Sequence, residues 1–151
     1  MGKKKKIFLI IFAAIVVIVL IHIISAFTLD QSIEYKEISF SSAKIPEEMN
    51  GYKIAFISDT HEMDDRELEK IALELNKLKP DLLALGGDYS TDGSNPERVM
   101  KTLSKIKTKD GIYGVEGNHD RYMYLFEAME KYFIHPLSNS GVRIRENFSM
   151  K

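Results

Sequence analysis

From Ile7 to Phe27 the chain reads IFLIIFAAIVVIVLIHIISAF, 21 residues of which only His22 and Ser25 are not apolar. At 1.5 Å of rise per residue a helix of that length spans roughly 30 Å, the thickness of a bilayer's hydrocarbon core. The run therefore predicts one transmembrane helix over residues 7–27 and sets the first 27 residues apart from the rest. The alternative is a cleaved signal peptide, whose apolar region is shorter and ends at a small-x-small site. Here the run is longer, and Ile24 sits badly two residues before Ala26, so a retained anchor is favoured. Lys3, Lys4, Lys5 and Lys6 precede the run. The positive-inside rule then predicts a basic cytoplasmic N-terminus over residues 1–6, a single pass through the cell membrane, and residues 28–151 on the extracytoplasmic side. His22 lies near the far end of the span, within reach of interfacial water, and reads as structural.

Beyond the span, 47 of 124 residues are apolar, enough for one modest core and too few for two domains. The chain has no cysteine, which excludes a disulfide scaffold, a Cys-based zinc site, an iron–sulfur cluster and a thiol nucleophile. Any metal site must use oxygen and imidazole. Setting Lys3 to Lys6 aside leaves 17 basic residues against 22 acidic, a balance that speaks against a nucleic-acid partner.

Residues 28–50 predict a leading strand, with Ile33, Tyr35, Ile38 and Phe40 loosely alternating, and then a connector. From residue 51 onward, short apolar runs alternate with amphipathic stretches. Ile54 to Ile57 reads as a strand covered on both faces, and Asp64 with Glu67 as a capping box opening a helix with Leu68, Ile71, Ala72, Leu75 and Leu78 inward. Leu82 to Leu85 is a second strand. Asn95-Pro96 starts a helix that turns Val99, Met100, Leu103 and Ile106 inward, and Ile112 to Val115 is a third strand. Tyr122, Leu125, Phe126, Met129 and Phe133 form a third helical face, and Val142 with Ile144 a last short strand. Strand, helix, strand, helix, strand is the βαβαβ pattern of an α/β fold with a parallel sheet, in which ligands gather at the carboxyl ends of the strands.

All three strands end in polar clusters: Asp59 and His61, then Asp88, then Asn118, His119 and Asp120. Asp59 and His61, two apart, would point the same way from an extended segment while Thr60 turns aside. A carboxylate with an imidazole suits manganese, iron or zinc better than calcium. Asp88 follows two glycines that permit close backbone approach, and its two oxygens could bridge a pair of ions about 3.5–4 Å apart. Asn118 would add an amide oxygen to the second ion. His119 beside Asp120 reads as an imidazole oriented by a carboxylate and able to protonate a leaving oxygen. The plainer account of Gly117 to Asp120 is a turn and a helix cap, which explains Asp120 and leaves His119 unexplained. Glu62, Asp64 and Asp65 read as an acidic helix start before further ligands, and His135 as a loop residue.

The combination ISDTH, LGGD and GNHD, with helices between, resembles the calcineurin-like metallophosphoesterase family, in particular its membrane-associated or exported bacterial branch. The resemblance runs from about Gly51 to Ile144. It implies half of a metallophosphoesterase sandwich, with Asp59 and His61 on a first ion, Asp88 bridging, Asn118 on a second, and His119 with Asp120 as the acid pair. It also implies hydrolysis of phosphate ester or pyrophosphate bonds by a hydroxide that two divalent ions activate. The substrate would carry a lipid or nucleotide-linked headgroup. Thr60 stands where the family usually has an apolar residue, and Asp92 falls one position beyond the usual spacing. Family members continue with a second half rich in histidines, among them a Gly-His-x-His element; this chain reads to Lys151 without one. The expectation is a domain over residues 51–151 truncated at its C-terminal end, an incomplete second ion site and weak or no activity in this chain. An uncovered sheet able to self-associate follows from the same shortfall. A catalytically inactive α/β remnant or an extracytoplasmic interaction module is the alternative.

Overall fold

The computed structural model of the chain describes residues 2–29, 33–61, 63–91 and 94–144. Its contacts divide it into two units, Met1–Ser41 and Ser42–Lys151.

In the first unit, helix α1 runs over Lys3–Leu29. Its stretch Lys3–Ser25 is long and apolar enough to cross a membrane, and none of its residues is buried within the protein. Apolar side chains point outward all round it, Ile7, Phe8, Ile15 and Ile18 each more than half exposed. That suits a helix whose solvent is lipid. The leading strand expected next does not form: residues 33–41 carry neither helix nor strand, and Ile38 and Phe40 are exposed. Loose alternation makes a strand only where a neighbouring strand accepts its ladder, and none among the described residues does so.

The second unit opens with a 3-10 turn, Glu47–Met49, followed by β1 (Ile54–Ile57), α2 (Asp65–Leu78), β2 (Leu82–Leu85), α3 (Pro96–Leu103), β3 (Ile112–Gly114), α4 (Tyr122–Lys131) and β4 (His135–Pro136). All pairs are parallel and the strand order is β1-β2-β3-β4. Right-handed crossovers between consecutive neighbours place every helix on the same face. Accordingly α2 packs on α3 and α3 on α4.

Each predicted helix has its local cause. Asp64 caps α2, its carboxylate accepting from the Glu67 amide at 2.9 Å while Glu67 accepts from the Asp64 amide at 2.9 Å. This reciprocal box is worth on the order of 1 kcal/mol. Pro96 opens α3 at its first turn. The core between helices and sheet holds Leu68, Ile71, Leu75, Leu83, Leu85, Val99, Met100, Leu103, Ile112, Leu125 and Met129. Each fully buried large side chain contributes roughly 1.5–3 kcal/mol.

Three expectations change. β1 is an edge strand with one open face, so Ile54 and Phe56 are 63% and 67% exposed rather than covered. They line up across the register with Leu82, Ala84, Tyr113 and His135 on the face that the helices leave bare. Phe133 is not part of the inward face of α4. It follows the helix at φ 58°, in the left-handed position that ends helices, and is 87% exposed. The chain reverses there, Ile134 donates to the Met129 carbonyl at 2.9 Å, and Ile134 becomes the buried residue instead. The last strand among the described residues is then His135–Pro136, anchored by the Leu137 amide on the Gly114 carbonyl, and residues 142–144 form none. His135 is consequently a strand residue, stacked on Tyr113 with ring centroids 5.1 Å apart.

Candidate metal centre

The carboxyl ends of β1, β2 and β3 lie side by side, and the three loops that leave them are tied together by backbone. The Asp59 amide donates to the Gly87 carbonyl at 3.0 Å, and the His61 amide to the Asp88 carbonyl at 3.3 Å. Thr60 does turn aside: it is buried, and its hydroxyl donates to the Tyr89 carbonyl at 3.1 Å. A hydroxyl therefore has a use at the position where the family usually places an apolar side chain.

Asp59, His61 and Asp88 come together, each offering one donor atom, with all three atoms within 4.8 Å of one another. His61 Nε2 stands 3.8 Å from Asp59 Oδ1. An ion bound at about 2.0–2.2 Å by such ligands holds them roughly 3–4.4 Å apart, so the cluster needs only a small contraction to grip one. Two carboxylates and an imidazole are also the donor chemistry that manganese, iron and zinc share. The residues fit a divalent ion.

The route to that cluster differs from the extended segment expected. Asp59, His61 and Asp88 have φ of 57°, 22° and 56°. Left-handed backbone at residues with a Cβ costs on the order of 1 kcal/mol or more each and persists where surroundings over-determine it. Here the surroundings are two glycines. Gly87 has φ 96°, and a Cβ on it would meet the Gly117 nitrogen at 2.5 Å; a Cβ on Gly117 would overlap the Asp88 amide and carboxylate. The loops after β2 and β3 thus touch backbone to backbone, a contact that only glycine allows.

Across this contact the His119 amide donates to Asp88 Oδ1 at 2.8 Å. The His119 ring sits edge-on to His61, centroids 5.2 Å apart. Its Nδ1 lies 3.1 Å from the Thr91 carbonyl, which can only accept, so Nδ1 carries the proton of the neutral ring and Nε2 does not. The adjacency of His119 and Asp120 is not a side-chain pairing. The Asp120 carboxylate instead accepts from three backbone amides: Asp88 at 2.8 Å, Tyr89 at 3.0 Å and Gly117 at 2.9 Å. Asn118 is exposed between Gly117 and His119, in the loop that meets Asp88. Glu62 and Asp92 lie outside the described residues. Asp64 serves as a cap and Asp65 pairs with Arg98 at 2.8 Å, so neither joins the cluster.

Tyr89, which carries no motif signal, is fully buried beneath these loops. Its hydroxyl accepts from the Gly87 amide at 3.1 Å and donates to the Val115 carbonyl at 2.9 Å. Burial, with Asp120, Glu116 and Asp88 nearby, pushes the phenol well above its ordinary range and keeps it a donor.

A parallel α/β sheet whose carboxyl edge gathers a carboxylate, an imidazole and a second carboxylate defines a metal-site class of protein. The chain belongs to the calcineurin-like phosphoesterase family, whose model matches residues 52–149. Among its relatives, a "transmembrane protein with metallophosphoesterase domain" from Danio rerio is 29% identical over 67% of this chain and 25% of its own length. The "uncharacterized metallophosphoesterase YkuE" of Bacillus subtilis is 32% identical over 61% of this chain and 34% of its own. The "UDP-2,3-diacylglucosamine pyrophosphatase LpxG" of Chlamydia trachomatis is 30% identical over 51% and 25%. The aligned part spans about a quarter to a third of these relatives.

Proposed function

We propose that the chain is a membrane-anchored, metal-dependent phosphoesterase acting on phosphate ester or pyrophosphate bonds. The observation that carries this reading is the convergence of Asp59, His61 and Asp88 within 4.8 Å at the carboxyl edge of the sheet. Asp59, His61 and Asp88 hold a first ion, and Asp88 with Asn118 contributes to a second. Divalent ions there supply positive charge for the phosphoryl oxygens and lower the pKa of an attacking water. His119 places Nε2 for the proton of the leaving oxygen, its ring held through Nδ1 by Thr91. A lipid or nucleotide-linked phosphate is the substrate class, in keeping with the pyrophosphatase among the relatives. The exposed row of Ile54 and Phe56 is the face for a further apolar layer, a second copy of the chain included.

The test is hydrolysis of bis(p-nitrophenyl) phosphate by the full chain in detergent. Turnover should require Mn2+ and stop on chelation. Turnover that survives complete chelation would overturn the reading.

Orientation follows from Lys3 to Lys6, which keep the N-terminus cytoplasmic and send residues 28–151 outward. The chain has no cysteine, so a single one at exposed Lys44 reports its own side of the membrane. A Lys44→Cys variant should react with a membrane-impermeant maleimide in intact cells. Labelling only after lysis would reverse the topology.

A further inference from the structure

We propose that Asp120 is a positioning residue, which presents Asp88 to the metal by clamping the loop after β2 onto the loop after β3. This rests on the metal-dependent reading above and assigns Asp120 a place in it other than proton transfer. Its Oδ2 accepts from the amides of Asp88 and Gly117, and its Oδ1 from the amide of Tyr89. Two of those amides, Asp88 and Tyr89, are consecutive, and Asp88 is in the left-handed conformation. Successive amides around a left-handed residue form a concave nest for an anion, and Asp120 fills it from within the chain. The third amide belongs to Gly117, the residue against which the Asp88 loop closes.

Asp88 brings its carboxylate to Asp59 and His61 from a left-handed backbone. A carboxylate accepting three amides, the bonds to a charged acceptor being the stronger kind, holds it so. The same clamp brings His119 to Asp88, because the His119 amide donates to Asp88 Oδ1 from one residue before Asp120. Asp120 thereby acts on the ion through Asp88 and on the acid through the loop that carries His119, without touching either ring or ion.

Asp120→Asn has the same size but replaces one acceptor oxygen with an NH2 group that faces an amide donor. The experiment is Mn2+ titration of the full chain in detergent, followed by electron paramagnetic resonance, with circular dichroism on the metal-free forms. The variant should keep its helical spectrum, bind Mn2+ about 10- to 100-fold more weakly, as supporting partners of metal ligands do, and show an altered spectrum of the bound ion. A folded variant with unchanged affinity or an unchanged Mn2+ spectrum would overturn the proposal. A variant unfolded without metal would do so too, by reducing Asp120 to a structural role. A wild-type chain that binds no Mn2+ would remove the phosphoesterase reading itself, an outcome distinct from the other two.

Discussion

Asp88→Ala should leave the chain folded and unable to retain a divalent ion. Of the three clustered donors, Asp88 is the one whose carboxylate also accepts from the His119 amide, through Oδ1. Removing a supporting partner of a ligand typically costs 10- to 100-fold in affinity, so removing the ligand itself should cost more than about 100-fold. Turnover of bis(p-nitrophenyl) phosphate should fall to background. The metal-free protein has less to lose. Asp88 is only partly buried, and in the absence of an ion its carboxylate faces that of Asp59, so truncation relieves a like-charge contact while forfeiting the His119 amide bond. Melting of the metal-free variant within a few degrees of wild type, together with Mn2+ binding lost in titration, is the expected pair of results. Undiminished Mn2+ affinity would show that the ion sits elsewhere.

How much of this was legible beforehand depends on which physical signal each part carries. The helical periodicity of Leu68, Ile71, Ala72 and Leu75 and the reciprocal spacing of Asp64 and Glu67 are local, and α2 forms where they place it. The strand residues Ile54 to Ile57 and Leu82 to Leu85 are also local runs, but their composition does not tell an edge strand from a central one. That difference lies in strand order, and Phe56 is exposed because it stands on the face that the helices leave bare. The placement of Asp59, His61 and Asp88 followed from a rule about parallel sheets rather than from their own neighbourhood, and the convergence holds. The conformation that achieves it did not follow: Asp59 and His61 meet through left-handed turns rather than along an extended strand. Asp120 is the clearest case of a residue whose type was readable and whose partner was not. Its neighbour in sequence is His119, whereas its bonds go to amides some thirty residues earlier and to Gly117. Tyr89 had no signal because a buried tyrosine is defined by what surrounds its hydroxyl, and Gly87 and Val115 meet there only once the sheet has formed.

Gly117→Ala should disable the centre more completely than its size suggests, by separating the loops that the ligands ride on. The added Cβ would overlap the Asp88 amide nitrogen, Oδ1 and Cγ, and the first of these is backbone, so no rotamer change removes the collision. Two responses are available. If the loop after β3 retreats, the Asp88 and Tyr89 amides lose Asp120, and the His119 amide leaves Asp88 Oδ1. If the loop after β2 retreats instead, the Asp88 and Tyr89 amides are drawn off Asp120, and the Tyr89 hydroxyl is pulled from the Val115 carbonyl. Each path leaves amides or a phenol without partners in a partly buried place, at about 1–3 kcal/mol per group. Together they predict a destabilisation of several kcal/mol, with Mn2+ affinity lost in whatever fraction remains folded. Gly141 supplies the control, since a Cβ there meets nothing within 4 Å and its φ is not left-handed. Gly141→Ala should therefore melt and bind Mn2+ like wild type. Equal melting temperatures and equal Mn2+ affinities for the two alanine variants would mean that the loops after β2 and β3 are not in contact, and the clamp at Asp120 would fall with them.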